Sequence, residues 1–119
     1  MEYTFEEMTK ATGYPAALME EVGLKHVAEN APEVFKNWVD ESLPHFERQI
    51  LDRKTVEFIW MACCAVCHSA AGVKLHGTGA MNAGATKEEI IEVLQLASLA
   101  PSHILLGPNG IGALGSSLK

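Results

Sequence analysis

The chain has 119 residues, 48% of them hydrophobic, with 15 acidic residues against 9 basic ones and a formal net charge of −6. That length and apolar content suit one domain over residues 1–119 with a real core and leave no room for a second. No apolar run approaches the roughly 20 residues that span a bilayer, and a field of this sign repels phosphate backbones, so neither a membrane nor a nucleic acid is expected as a partner.

The first ten residues carry Glu2, Glu6 and Glu7 where a secretory leader has a basic start and an apolar stretch, so a cytoplasmic location is expected. Thr4 followed by Glu7 is a capping box, opening a short helix with Phe5 and Met8 on its apolar side and an end near Thr12-Gly13. From Pro15 to about Glu29, Leu18, Val22 and Val27 recur near helical spacing with Glu20, Glu21, Lys25 and Glu29 opposite, which predicts one amphipathic helix. Asn30 is placed to cap a third helix with Pro32 in its first turn, carrying Val34, Phe35, Trp38 and Val39 inward until Pro44 stops it.

Asp52 caps the next predicted helix, which runs through KTVEFIWMACCAVCH with Lys54 and Glu57 as its only charges before His68. So apolar a helix is expected to be buried nearly all round. Another starts near Ser69 or Ala70 and reaches Asn82-Ala83-Gly84, although no Pro or Gly marks the joint before it. Thr86 with Glu89 is a second capping box, for a helix through Ile90, Ile91, Val93, Leu94, Leu96 and Leu99 that Pro101 is expected to end. The Gly-rich tail from 101 to 119 is expected to form a turn of helix and then extend, with Ile104, Leu105, Leu106, Ile111 and Leu114 packed on the domain or on another subunit.

The chemistry-bearing residues are concentrated between Glu57 and His76. On a helix, Glu57, Cys64 and His68 are related by steps of seven and four residues, which puts them on roughly one face. A carboxylate in so apolar a stretch needs a partner, and two readings stand side by side: a proton-transfer role with a histidine, or a structural pair with Arg53 or Lys54. Cys64 and Cys67 form C-x-x-C, and helical geometry puts their Cα atoms about 5 Å apart, within disulfide range. Cys63 and Cys67 fit less well, and all three cysteines are also readable as small hydrophobes at a helix contact. CAVCH matches a c-type haem attachment string, but inside an apolar helix without an export signal it is set aside. A zinc site lacks a fourth ligand and a knuckle-shaped turn, so no metal or cofactor is expected.

The stretch LDRKTVEFIW, followed through His76 to GTGAMNAGATKEEIIEVLQLASL, resembles the carboxymuconolactone decarboxylase family, which includes the alkyl hydroperoxidase D type. The resemblance centres on residues 51–100 and implies an all-α, alkyl hydroperoxidase D-like domain that forms a homo-oligomer, with active sites near subunit contacts. In peroxidase-type members a Glu precedes a C-x-x-C pair at the head of the next helix, and a His follows four residues after the second Cys. Here Glu57 and His76 hold the Glu and His positions, while Ser69 and Gly72 stand where the cysteines would be.

Three functions follow from that departure. In the first, expected to lead because every thiol lies beside the site, Cys64 and Cys67 act as a displaced redox pair in peroxide reduction. Glu57 and His76 relay protons, the adjacent His68 favours the thiolate, and a thiol reductant serves as partner. In the second, the site needs no thiol: His76 is acid or base toward a small carboxylate or lactone, Glu57 sets its tautomer, and Ser69 with nearby helix-start amides holds an anion. In the third, the fold persists as a catalytically silent binding module.

Overall fold

The computed structural model describes residues 4–47, 50–106 and 111–118, with residues 102–106 described by backbone alone. Among them all regular structure is helical, in keeping with the all-α expectation. α1 (Phe5–Thr12) starts on its capping box: Thr4 Oγ1 accepts the Glu7 N–H at 3.1 Å, and the Glu7 carboxylate accepts the Thr4 N–H at 2.8 Å. Gly13 ends it at φ 74°.

The single helix expected from Pro15 to Glu29 is two helices, α2 (Ala16–Glu21) and α3 (Leu24–Asn30). Gly23 turns the chain between them at φ 91°, a left-handed conformation that only glycine adopts without a steric penalty. Asn30 does not cap the following helix. It is the last residue of α3, its side-chain amide donates to the His26 carbonyl at 2.9 Å, and Ala31 opens α4 (Pro32–Glu47) by accepting the Phe35 N–H. α4 also runs through the expected stop at Pro44. That proline sits in the last turn, where the hydrogen bond it removes is one of few remaining. Val34, expected inward, is 60% exposed.

α5 (Arg53–Val66) is capped as expected, with the Asp52 carboxylate accepting the Thr55 N–H at 2.7 Å. Those bonds to Thr55 hold the Asp52 carboxyl below its ordinary range. The expectation of nearly complete burial is not met within one chain: Glu57 and Met61 are buried, while Ile59 and Val66 are about half exposed. His68, at φ 60°, makes the unmarked joint, and α6 (Ala70–Asn82) follows with Ser69 as its cap. α7 (Lys87–Leu106) opens on the Thr86–Glu89 capping box and continues past Pro101. A short α8 (Ile111–Leu114) and a 3-10 turn (Gly115–Ser117) form the described part of the tail. Ile111 and Leu114 are more than half exposed, so they do not pack on their own domain; the side chains of Ile104, Leu105 and Leu106 lie outside the described residues.

The core is formed by Met8, Tyr14, Leu18, Met19, Phe35 and Val39 from the N-terminal helices, joined by Leu75 of α6. α5 and α6 make the most extensive helix contact among the described residues. Buried glycines of α6 permit it: a methyl group at Gly77 would stand 3.3 Å from the Met61 sulfur. The radius of gyration is 17.6 Å, against about 13–14 Å for a compact chain of this length. The elongation leaves Ile91, Leu96 and Leu99 of α7 in water. No helix among the described residues is long and apolar enough to cross a membrane.

Candidate active site

Glu57 is fully buried on α5, four residues before Met61 and facing α6 at Gly79, where the absence of a side chain leaves room for a carboxylate. Donors reach both of its oxygens. Arg53 Nε donates to Oε1 at 2.7 Å, and the Tyr14 hydroxyl donates to the same oxygen at 2.6 Å. His76 Nδ1 lies 2.9 Å from Oε2 and 3.1 Å from the Tyr14 oxygen. The two sequence readings of Glu57 are therefore both realised, since the carboxylate meets Arg53 and His76 together; Lys54 pairs instead with Glu89 at 3.1 Å. Arg53 is held in turn, its Nη2 donating to the Thr12 carbonyl at 2.8 Å and its guanidinium lying 4.0 Å from the Phe46 ring centroid.

An ionised carboxylate only accepts hydrogen bonds, which assigns the proton of a neutral His76 to Nδ1 and leaves a lone pair on Nε2. Both hydrogen bonds of the His76 ring are made through Nδ1, and no buried side-chain N or O atom among the described residues lacks a partner. Nε2 is bonded to no described residue, on a ring that is 14% exposed and lines a cavity. Burial pushes the Tyr14 phenol far above its ordinary range, and its bond to Glu57 and that residue's charge push it further, with Arg53 offsetting part. Tyr14 is a neutral donor at any ordinary pH.

His76 lines a cavity of about 310 Å³ between α4, α5 and α6. Trp38, Phe46 and Trp60 make its aromatic wall, and Glu41, Ser42, His45, Cys63 and Cys64 add polar groups. The Trp60 ring meets two imidazoles, with centroids 5.1 Å from His76 and 6.1 Å from His45. Both tryptophans are half-buried.

The cysteines are free thiols. Cys63 is exposed and Cys64 half-buried, and both reach the His76 cavity, whereas exposed Cys67 does not line it. Cys64 points at the start of α6, where a methyl group on Gly72 would overlap its sulfur. The thiol thus fills space that a side chain at position 72 would take. Burial, and then the neighbouring Cys63 and Cys67, push the Cys64 thiol up, away from the reactive thiolate.

His68 does not share a face with Glu57 and Cys64, because α5 ends at Val66 and His68 is exposed in the left-handed joint. It lines a separate depression with Ser69, Ala65 and Lys74. The Ser69 hydroxyl accepts the Gly72 N–H at 3.1 Å as the cap of α6, and it too is absent from the His76 cavity. Tyr14 and His45 escaped the sequence reading. His45 had a signal, since Trp38, Glu41, Ser42 and His45 fall on one helical face; Tyr14, set between Gly13 and Pro15 in a turn, had none. Among the described residues no group of three or more His, Cys, Asp or Glu side chains is arranged to hold a metal ion.

Comparison with protein families finds a match of residues 32–101 to the model described as the carboxymuconolactone decarboxylase family. Neither the curated proteins nor the solved structures include a significant match.

Proposed function

The chain belongs to the carboxymuconolactone decarboxylase family, and from that premise we propose that it is a cofactor-independent acid/base enzyme acting on a small carboxylate or lactone. The observation that carries this reading is His76, bonded through Nδ1 to buried Glu57 at 2.9 Å on a ring that lines the cavity, with its other nitrogen bonded to no described residue. In a decarboxylation, the bond between the carboxylate carbon and its neighbour breaks and carbon dioxide leaves. The electron pair moves onto the adjacent carbonyl as an enolate, and protonated His76 delivers its Nε2 proton to the carbon. Glu57 stabilises the imidazolium before transfer, and water returns the proton afterwards. Arg53 and Tyr14 keep the carboxylate aimed throughout.

The test is carbon dioxide release from a panel of small β-keto acids and unsaturated lactone carboxylates. Replacing His76 by Gln should lower the rate by about 10²–10⁴-fold, the usual contribution of a positioned acid or base. Glu57→Gln should also lower the midpoint of the His76 ring titration followed by NMR, since it removes the charge that favours the protonated ring. A parent protein inert toward the whole panel, or a His76 titration indifferent to Glu57→Gln, would retire the reading.

Peroxide reduction stands second, favoured by the presence of Cys63 and Cys64 in the same cavity as His76. There the Cys64 thiolate would attack a peroxide oxygen and become a sulfenic acid while the alcohol leaves with a proton from His76. Cys67 would then close a disulfide and release water, and an external thiol would restore both groups. The raised Cys64 thiol and the exposure of Cys67 away from the cavity rank this below the thiol-free reading. Turnover of cumene hydroperoxide that vanishes in Cys64→Ser, with a Cys64–Cys67 disulfide mapped by mass spectrometry, would reverse the ranking.

In either case the working unit we propose is a homo-oligomer in the cytoplasm. The elongated chain and its exposed Ile91, Leu96, Leu99, Ile111 and Leu114 support it. Light scattering at micromolar concentration should give a mass of at least two chains; a stable monomer would contradict the assembly.

A further inference from the structure

We infer that Tyr14 is a positioning residue of this site, whose phenol fixes the Glu57 carboxylate and the His76 ring relative to each other. The inference rests on the dyad reading above and reaches beyond it, because Tyr14 precedes the family-matched residues 32–101. A segment outside the family core would complete the site.

One oxygen atom touches both members of the dyad. The Tyr14 hydroxyl has a single hydrogen, given to Glu57 Oε1 at 2.6 Å, so its lone pairs are what it offers to His76 Nδ1 at 3.1 Å. The Nδ1 hydrogen is then shared between Glu57 Oε2 and the phenol oxygen, and turning the imidazole loosens both contacts. Tyr14 is itself immobilised. It is 2% exposed, its ring meets Phe46 edge-on at 5.7 Å between centroids, and Arg53 ties the same turn to α5 through the Thr12 carbonyl at 2.8 Å. Packing alone does not account for a tyrosine here. A phenylalanine would fill the space without a hydroxyl that burial makes costly unless it is partnered, and the partners it has are the dyad's own atoms.

The groups around His76 are Glu57 and Arg53 of α5, Tyr14 from the α1–α2 turn, and Trp60, Cys63 and Cys64 of α5 with Glu41 and His45 of α4 across the cavity. Tyr14→Phe alters only one of them. Losing the phenol's lone pair at 3.1 Å from Nδ1 disfavours the imidazolium slightly, but losing its shorter 2.6 Å bond to the ionised Glu57 leaves that charge less dispersed and favours the imidazolium more, so the midpoint of the His76 titration should rise by about half a pH unit.

The experiment follows the ring resonances of His76 by NMR in the full chain, assigned with His76→Gln, and includes Glu57→Gln for comparison. A folded Tyr14→Phe protein with a raised His76 midpoint supports the inference. An unchanged or lowered midpoint overturns it. Should Tyr14→Phe fail to fold, incorporation of 3-fluorotyrosine in a Tyr3→Phe background decides: the more acidic phenol takes more of the carboxylate's charge, so the His76 midpoint should fall, and no movement overturns the inference. A response to Glu57→Gln without one to either change at Tyr14 removes Tyr14 alone from the site, whereas no response to Glu57→Gln removes the dyad as well.

Discussion

Truncating Glu57 to alanine is expected to destabilise the protein by about 3–5 kcal/mol, the range found when one member of a buried ionic network is deleted. The carboxylate is fully buried and is the acceptor for Arg53 and Tyr14 at one oxygen and for His76 at the other. Alanine leaves a void and strands those donors. Arg53, whose side chain is 29% exposed, can turn toward water and keep its bond to the Thr12 carbonyl, but the Tyr14 hydroxyl has only His76 left to meet. Glutamine should be far milder, since it keeps the volume and one acceptor oxygen. Urea unfolding monitored by the fluorescence of Trp38 and Trp60 would measure both. A loss under about 1 kcal/mol for Glu57→Ala would mean that the network is not formed as described.

Adding one methyl group at Gly79 should damage the site by crowding the carboxylate that His76 is bonded to. The methyl of Gly79→Ala would stand 2.6 Å from Glu57 Oε2, 2.7 Å from its carboxyl carbon and 2.7 Å from Tyr14 Cε1. Helix propensity by itself favours alanine by about 1 kcal/mol. Overpacking opposes it by about 1–3 kcal/mol, and here the obstacle includes a ring wedged against Phe46, so a net loss of about 1–2 kcal/mol is expected. Displacing the carboxylate by about an ångström should also lower turnover about 10²-fold. Gly77→Ala is the internal control. Its methyl would meet the Met61 sulfur at 3.3 Å, a flexible neighbour that can yield, so stability and activity should stay close to the parent's. Equal behaviour of the two variants would refute the argument from Gly79.

The sequence was most legible where a signal is local. The Thr4–Glu7 and Thr86–Glu89 boxes and the Asp52 cap are all formed, because each depends on a side chain reaching backbone three residues away. Reading proline as a stop failed at Pro44 and Pro101, since a helix with packing elsewhere along its length tolerates the loss of one bond. Reading Pro15 to Glu29 as one helix failed for the opposite reason: at Gly23 the chain turns through a conformation that glycine adopts freely.

The candidate site divides in the same way. By itself the sequence determined the all-helical class, because helical period and cap chemistry are short-range properties, and its resemblance to the family singled out Glu57 and His76. Only the tertiary structure decided that Tyr14 joins them, that Cys63 and Cys64 reach the cavity while Cys67, His68 and Ser69 do not, and that Arg53 and His76 share one carboxylate. Tyr14 and Glu57 are 43 positions apart, and their 2.6 Å contact exists because α6 presents a bare Gly79 to both. No periodicity within a single helix encodes where two others will cross it.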